Sequence, residues 1–319
     1  MLKFIGKKIL ILIPKLLLIS LIVFLGLQLL PGDAVTRTVS PEAYQYMTEE
    51  QLEALRDSLG LNDPILIQYF RWLGRFLTGD FGYSQASGSN IAQMLAGRLP
   101  YTIELAGWAV VIADLIGILF GFVAAVRKNK PIDHILTSGS VLGISVPEFF
   151  FGLVFILIFS LKLNWLPTGG RMAAGETGFL SRVRYMILPA FTLSIALLAT
   201  LTRYTRGCML DVLNKDYIKT ARSKGLGDFV VNVKHGLRNA LPPVLVLLCF
   251  RLPILVSGTV IVETVFNYPA MGSMILDAIS AADMTVVMVT TMVVACVTLI
   301  ASNLVDILTA ALDPRVRLD

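Results

Sequence analysis

Residues 216–228, read as DYIKTARSKGLGD, carry the densest polar chemistry in an otherwise apolar chain. Asp216 suits the N-cap of a short helix through Lys224, where a carboxylate meets the positive end of the helix dipole. Lys219, Arg222 and Lys224 load the other end, where cations are favoured. Gly225 and Gly227 are expected to adopt the positive backbone angles that end it. Tyr217 and Ile218 are its large apolar residues, while Thr220 and Ala221 are small. A helix resting on lipid headgroups calls for a fuller apolar face. Docking into a groove of another protein fits better, with the headgroup reading left open. A second helix is expected over about 229–240, leading to Pro242-Pro243.

Other candidate chemistry lies inside apolar runs, where ionisable side chains are costly and face an interior or a pathway. Asp114, Glu148, Arg251 and Asp306 are of this kind, and an Arg251–Asp114 pair would neutralise a buried charge. Ser145, Pro147 and Glu148 share a stretch in which Pro147 breaks the amide ladder and frees a carbonyl. With Asp114 and Arg251 they are the candidates for lining a translocation pathway. Glu104 and Glu263 fall nearer an interface, where water makes charge cheaper.

Several chemistries are absent. No GxxxxGK[ST] phosphate loop, HExxH or nucleophile–base pair occurs on the apolar runs. His134 and His235 stand far apart, and Cys208, Cys249 and Cys296 form no CxxC, so no metal cluster or disulfide framework is expected. Met284, Met288 and Met292 recur one turn apart, which reads as packing rather than a soft-metal ladder.

These residues are positioned by membrane spans. The chain has 319 residues, 55% hydrophobic and 15% charged, with net charge +5. Its mean hydropathy is +0.75. A soluble surface needs more charge, and runs of about 20 apolar residues match a bilayer core. The class is an all-α polytopic membrane protein. Spans are expected over 9–30, 101–126, 135–161, 185–201, 241–262 and 285–310. The first is too long for a signal peptide and ends in Pro31-Gly32 rather than a cleavage site, so it is expected to stay attached. Gly117-x-x-x-Gly121 and Gly139-x-x-x-Gly143 supply small faces for close helix packing.

Lys and Arg crowd the N-terminus, 127–130, 203–240 and the tail, whereas 263–284 has none. By the positive-inside rule both termini and the 203–240 loop are cytoplasmic. The basic balance thus orients spans; no aromatic-interleaved basic groove suggests nucleic acid. Lys162, Arg171, Arg182 and Arg184 are discordant, lying on the outer side. Residues 31–98 form an outward helical excursion, with Thr48 capping a helix that Gly60 stops and a second amphipathic helix over 65–77. The expected divisions are 1–30, 31–98, 99–312 and the cytoplasmic tail 313–319.

The run Lys219-Thr220-Ala221-x-x-x-Gly225, with His235-x-Leu237 following, resembles the EAA loop of permease subunits in bacterial ATP-binding-cassette importers. Lys219 stands in place of Glu, Thr220 in place of the first Ala, and Arg238 where Pro is usual. DYIKTARSKGL and RNALPPV resemble the dipeptide, oligopeptide and nickel permease branch more closely. The stretches LGLNDPILIQYFRWL…GDFGYS (59–84), TIELA (102–106), LPTGG (166–170), ILPA (187–190), GTVIVETVFNYPAMG (258–272) and DPRVR (313–317) match it in order, across nearly the whole chain. The resemblance is to the first of two paired permeases. It implies a type I importer fold in a bacterial inner membrane, with a second permease, two ATPase subunits and an extracytoplasmic substrate-binding protein as partners. ATP and Mg would sit on the ATPases, and this chain would hold no cofactor. Asp216, Tyr217, Lys219, Thr220, Ala221, Arg222, Lys224 and Gly225 would be the coupling element, with Ala221 giving clearance and Gly225 the bend. The cargo would be di- or oligopeptides or a nickel chelate. An autonomous ion-driven transporter is the alternative, but no repeat relates 1–160 to 161–319.

Overall fold

A computed structural model describes residues 2–29, 35, 41–173, 175–176, 178–251 and 260–312. The expected tail 313–319, with DPRVR, lies outside them. Helix α1 (Leu2–Gln28) carries its lysines in the first half, is largely apolar beyond Lys15, and is continuous across Pro14. The short α2 (Pro41–Gln45) precedes α3 (Glu49–Leu59). Thr48 and Gln51 close a capping box at the start of α3, and Gly60 ends it at φ +66. Helix α4 (Ile65–Leu77) follows, so both expected helices of the excursion form where expected.

Helix α5 (Ile91–Val126) runs 36 residues and starts ten residues before the expected span. Asn90 caps it, accepting from the Gln93 amide, and its first turns bury Ile91 and Leu95 against Met271, Met274, Val286 and Val289. The apolar signal missed this extension because 91–99 is amphipathic rather than uniformly greasy.

The expected third span is two helices, α6 (Pro131–Ser145) and α7 (Glu148–Phe155), the latter continuing in wider π-type winding over Ile156–Lys162. They meet at 105°. A proline disfavours helical geometry in the residue before it, and Val146 is accordingly extended.

Helix α8 (Phe179–Leu213) is the centre of the packing. A Cβ on Gly117 of α5 would lie 2.9 Å from the Leu201 Cβ, and one on Gly121 would lie 2.6 Å from the Thr205 Cβ. Gly143 of α6 similarly abuts Ala199 and Ile195, whereas Gly139 faces open space. Three of the four glycines are therefore contact points, and Gly139 is not.

Beyond α8 come α9 (Asp216–Ser223), α10 (Asp228–Val230), π-type winding over Val231–Leu237, and α11 (Arg238–Cys249). Helical winding thus runs through Pro242 and Pro243 rather than stopping near residue 240. The expected fifth span, 241–262, enters 252–259, outside the described residues. Helices α12 (Val260–Val265), α13 (Met271–Ser280) and α14 (Met284–Leu312) complete the order. Among the described residues four helices are long and apolar enough to cross a membrane, Ile5–Gln28, Ile91–Val126, Phe179–Leu213 and Met284–Ile307, with the bent α6–α7 pair a fifth. Met292 is buried against Val23 and Leu27 and Met288 abuts Gly26, so these two of the three spaced methionines pack.

Candidate functional site

The basic loop is built on the end of α8. Lys215 occupies the N-cap of α9 with no side-chain cap, so Asp216 is the first helical residue rather than the cap. Its carboxylate accepts from Lys219 Nζ at 2.9 Å, and its carbonyl accepts from the Thr220 hydroxyl at 3.1 Å. Ile218 and Ala221 are buried against Val212, Leu213 and Val231. Ala221 is therefore small because it packs on its own chain; the clearance it provides faces inward. Gly225 has φ +77, as expected, with open space around it. Gly227 has φ −62 and caps α10 in extended geometry, which corrects the expectation of a positive angle there.

Asp216, Tyr217, Lys219, Thr220, Arg222, Lys224 and Gly225 form an exposed polar rim. Beside it Leu226, Phe229 and Val230 are also exposed, Phe229 at 78%. Sequence reading weighed the apolar content of α9 alone and missed these three. The available signal was Phe229 itself, a large aromatic immediately after a Gly-x-Gly-Asp turn.

Two helical turns earlier, Arg206 forks onto Asp133. Nε donates to Oδ1 at 2.6 Å and Nη2 to Oδ2 at 2.8 Å. The Asn129 amide and the Thr137 hydroxyl also donate to this carboxylate. Asp133 is buried, so α6 and α8 are tied by a two-pronged, charge-assisted contact near the basic loop. Arg206 entered the sequence argument only as part of a charge count.

Deeper in the spans Arg251 donates to Asp114 and, through Nη2, to the Leu197 carbonyl at 2.6 Å. The pair suggested by charge balance is thus formed, tying the end of α11 to α5 and α8. Ser145 and Pro147 are exposed at the α6–α7 break, and Glu148, half-buried, has no hydrogen-bond or ion-pair partner among the described residues. No hydrogen bond or ion pair among the described residues joins this break to the Asp114–Arg251 pair. Asp306 pairs with Lys8 at 2.6 Å, fastening α14 to α1.

At the opposite end from the basic loop, Arg171 donates to Glu104 at 3.2 Å and lies 3.8 Å over the Tyr101 ring. The discordant Arg171 is thus neutralised by a partner that sequence alone did not supply. Burial, with the Glu104 charge nearby, pushes the Tyr268 hydroxyl up to about 12, so it stays protonated at physiological pH. Glu263, 1% exposed, accepts from the Ser273 amide at 2.8 Å, which places a carboxylate at the N-terminus of α13. Arg98, Arg171, Glu263, Asn267, Ser273 and Asp277 line a cleft of about 340 Å³ here. Among the described residues no three His, Cys, Asp or Glu side chains form a metal-holding group.

Residues 117–318 match the family described as binding-protein-dependent transport system inner membrane component. Residues 1–106 match the N-terminal region of such membrane components. The chain is 40% identical over 306 residues to the oligopeptide transport system permease protein AppB of Bacillus subtilis, covering 95% of this chain and 96% of that protein. It is 37% identical to a putative peptide permease protein of Brucella suis, with 99% of each chain covered. It is 35% identical to the glutathione transport system permease protein GsiC of Escherichia coli, again with 99% of each covered. In fold it is similar to a chain of the MetNI methionine ABC transporter in inward-facing conformations, with TM-score 0.55 and 13% identity, covering 69% of this chain and 97% of that one.

Proposed function

Because the chain belongs to the binding-protein-dependent transport system inner membrane component family, we propose that it is the first permease subunit of an ATP-driven peptide importer. It forms half of a translocation pathway with a second, homologous permease. Two ATPase chains supply the energy, with ATP and Mg bound there, and an external binding protein delivers cargo. Peptides are favoured over a nickel chelate because the relatives named above are described as oligopeptide, peptide and glutathione permeases.

The observation that carries the coupling role is the construction of α9. Its polar rim is exposed while Ile218 and Ala221 anchor it on α8, so a force on the rim passes into a long central helix. Tyr217, Lys219, Thr220, Arg222, Lys224 and Gly225 face the ATPase, joined by Leu226 and Phe229; Asp216 holds Lys219 in place; Ala221 fixes the helix from behind. Residues 203–240 and both termini are cytoplasmic, 31–98 is extracytoplasmic, and the α6–α7 break with Ser145, Pro147 and Glu148 borders the pathway. The Asp114–Arg251 pair braces that pathway from behind.

Cysteine cross-linking tests the docking directly. Tyr217→Cys or Phe229→Cys, in a chain whose three native cysteines are replaced, should cross-link to an ATPase subunit in membranes. Labelling of these positions only from outside the cell would overturn the reading.

A further inference from the structure

The excursion after α1 does not stand clear of the spans. Tyr69 of α4 is buried, and its hydroxyl shares a 2.7 Å hydrogen bond with Ser20 of α1. Its ring meets Phe24 edge-on at 5.5 Å, and Trp72 lies 5.6 Å from the same phenylalanine. Gln68 meets Gln28 at 3.0 Å. Ser20 lies eight residues before Gln28, so Tyr69 reaches about 12 Å inward from the end of the apolar helix; Phe24 lies about 6 Å inward. Helix α4 therefore crosses α1 below its end, within the thickness that α1 spans.

The residues of α4 sort accordingly. At 100° per residue, Leu66, Phe70, Leu73 and Leu77 point one way and Gln68, Arg71 and Arg75 the opposite way. The tyrosine that reaches toward the middle of α1 lies nearer the apolar side, and the glutamine that reaches its end lies on the polar side. Leu66 and Phe70 are each 65% exposed and Leu77 is 77% exposed. Deeper along the same stripe of α1 as Ser20 and Phe24, Leu10, Ile13 and Leu17 are exposed as well. On the other side Gln28, Gln68, Arg71 and Arg75 line one cleft, and Arg71 also pairs with Asp63 at 3.0 Å.

From this geometry we infer that α4 lies in the plane of the membrane, sunk into the leaflet at the Gln28 end of α1. Its Leu66–Phe70–Leu77 face contacts lipid acyl chains, and Arg71 and Arg75 sit at headgroup level. An amphipathic helix in this position buries its apolar face about 5–10 Å into the headgroup–acyl boundary, the depth set by the contacts with Phe24 and Ser20. The occupant is lipid rather than a protein partner because the face is turned toward the middle of a helix long and apolar enough to span, whose stripe below Ser20 is itself exposed and apolar. Only the naming of this leaflet as the outer one rests on the proposed importer topology.

The test is spin-label accessibility in the full chain, expressed with its partner subunits and reconstituted in phosphatidylethanolamine–phosphatidylglycerol vesicles. With Cys208, Cys249 and Cys296 replaced by alanine, a label at Phe70→Cys should collide freely with oxygen and poorly with an aqueous nickel chelate. It should resemble Leu18→Cys on α1 and differ from Ala54→Cys on α3, where the chelate should dominate. Leu66→Cys reports on the same face if Phe70→Cys does not assemble. Collision with the chelate as frequent as at Ala54→Cys would overturn the inference. So would an immobilised label reached by neither reagent, or one that becomes protected only when the external binding protein is added. The readout measures depth without transport, so it stands or falls separately from the importer reading.

Discussion

Replacing Gly225 with valine should separate folding from coupling at a single residue. No atom lies within 4 Å of an added Cβ, so the substitution meets strain in φ rather than a clash. Left-handed geometry costs a residue with a Cβ about 1–2 kcal/mol, roughly a tenfold bias against the docked loop shape. Uptake and binding-protein-stimulated ATP hydrolysis should fall together while membrane insertion persists. Gly225→Asn, which tolerates this region, should retain most activity. Asp114 poses a different residue-scale problem, because its loss leaves the 5%-exposed Arg251 without its charge partner. Removing one member of a buried pair costs about 3–5 kcal/mol. Asp114→Ala should therefore lower the yield of assembled complex, and Asp114→Leu with Arg251→Met should recover much of it. Normal transport by that double variant would assign the pair to bracing alone.

Between elements, the glycines of α5 and α6 make a sharper prediction than their spacing did. Gly121→Leu must displace the Thr205 side chain and the Thr202 carbonyl, which would lie 2.6 and 2.7 Å from its Cβ. Gly139→Leu meets nothing within 4 Å. Thermal unfolding in detergent should show the first strongly destabilised and the second close to the parent, although both come from the same sequence pattern. Legibility divides along the same line. The Thr48 cap, the Gly60 stop and the break at Pro147 are local backbone events, and each was readable. The 105° angle of the break and the inward turn of Ala221 depend on which neighbour arrives, which spacing does not encode. Asp133 and Arg206 meet across 73 residues of chain, and no local signal announces that pairing. The Asp114–Arg251 pair was legible only because burying two lone charges is so unfavourable that they had to seek each other.

Across the whole molecule, the basic loop, α8 and α6 are linked in series by packing at Ile218 and Ala221 and by the Arg206–Asp133 fork. If that series transmits force, Asp133→Ala should leave ATP hydrolysis by the complex largely intact while transport per ATP falls. Exchanging the charges, Asp133→Arg with Arg206→Asp, should restore part of the ratio, measured as peptide accumulated per ATP in proteoliposomes. Equal loss of hydrolysis and transport in every variant would mean that the fork merely supports the fold. The long helices over the expected spans 9–30, 101–126, 185–201 and 285–310, and the exposed basic loop after α8, were evident from hydropathy and charge. The lateral placement of α4 was not, because its 13 residues read equally well as a soluble amphipathic helix.

Pro242 and Pro243 sit within α11, between the exposed Phe229 and the anchored Arg251. Each lacks an amide proton, so two successive rungs of the hydrogen-bond ladder are missing, those that would end on the carbonyls of Arg238 and Asn239. A rod weakened at one known height flexes there first. If the proposed ATPase docking rocks the Phe229 end, the motion should be absorbed as curvature near residue 240, leaving the Asp114–Arg251 pair closed through the cycle.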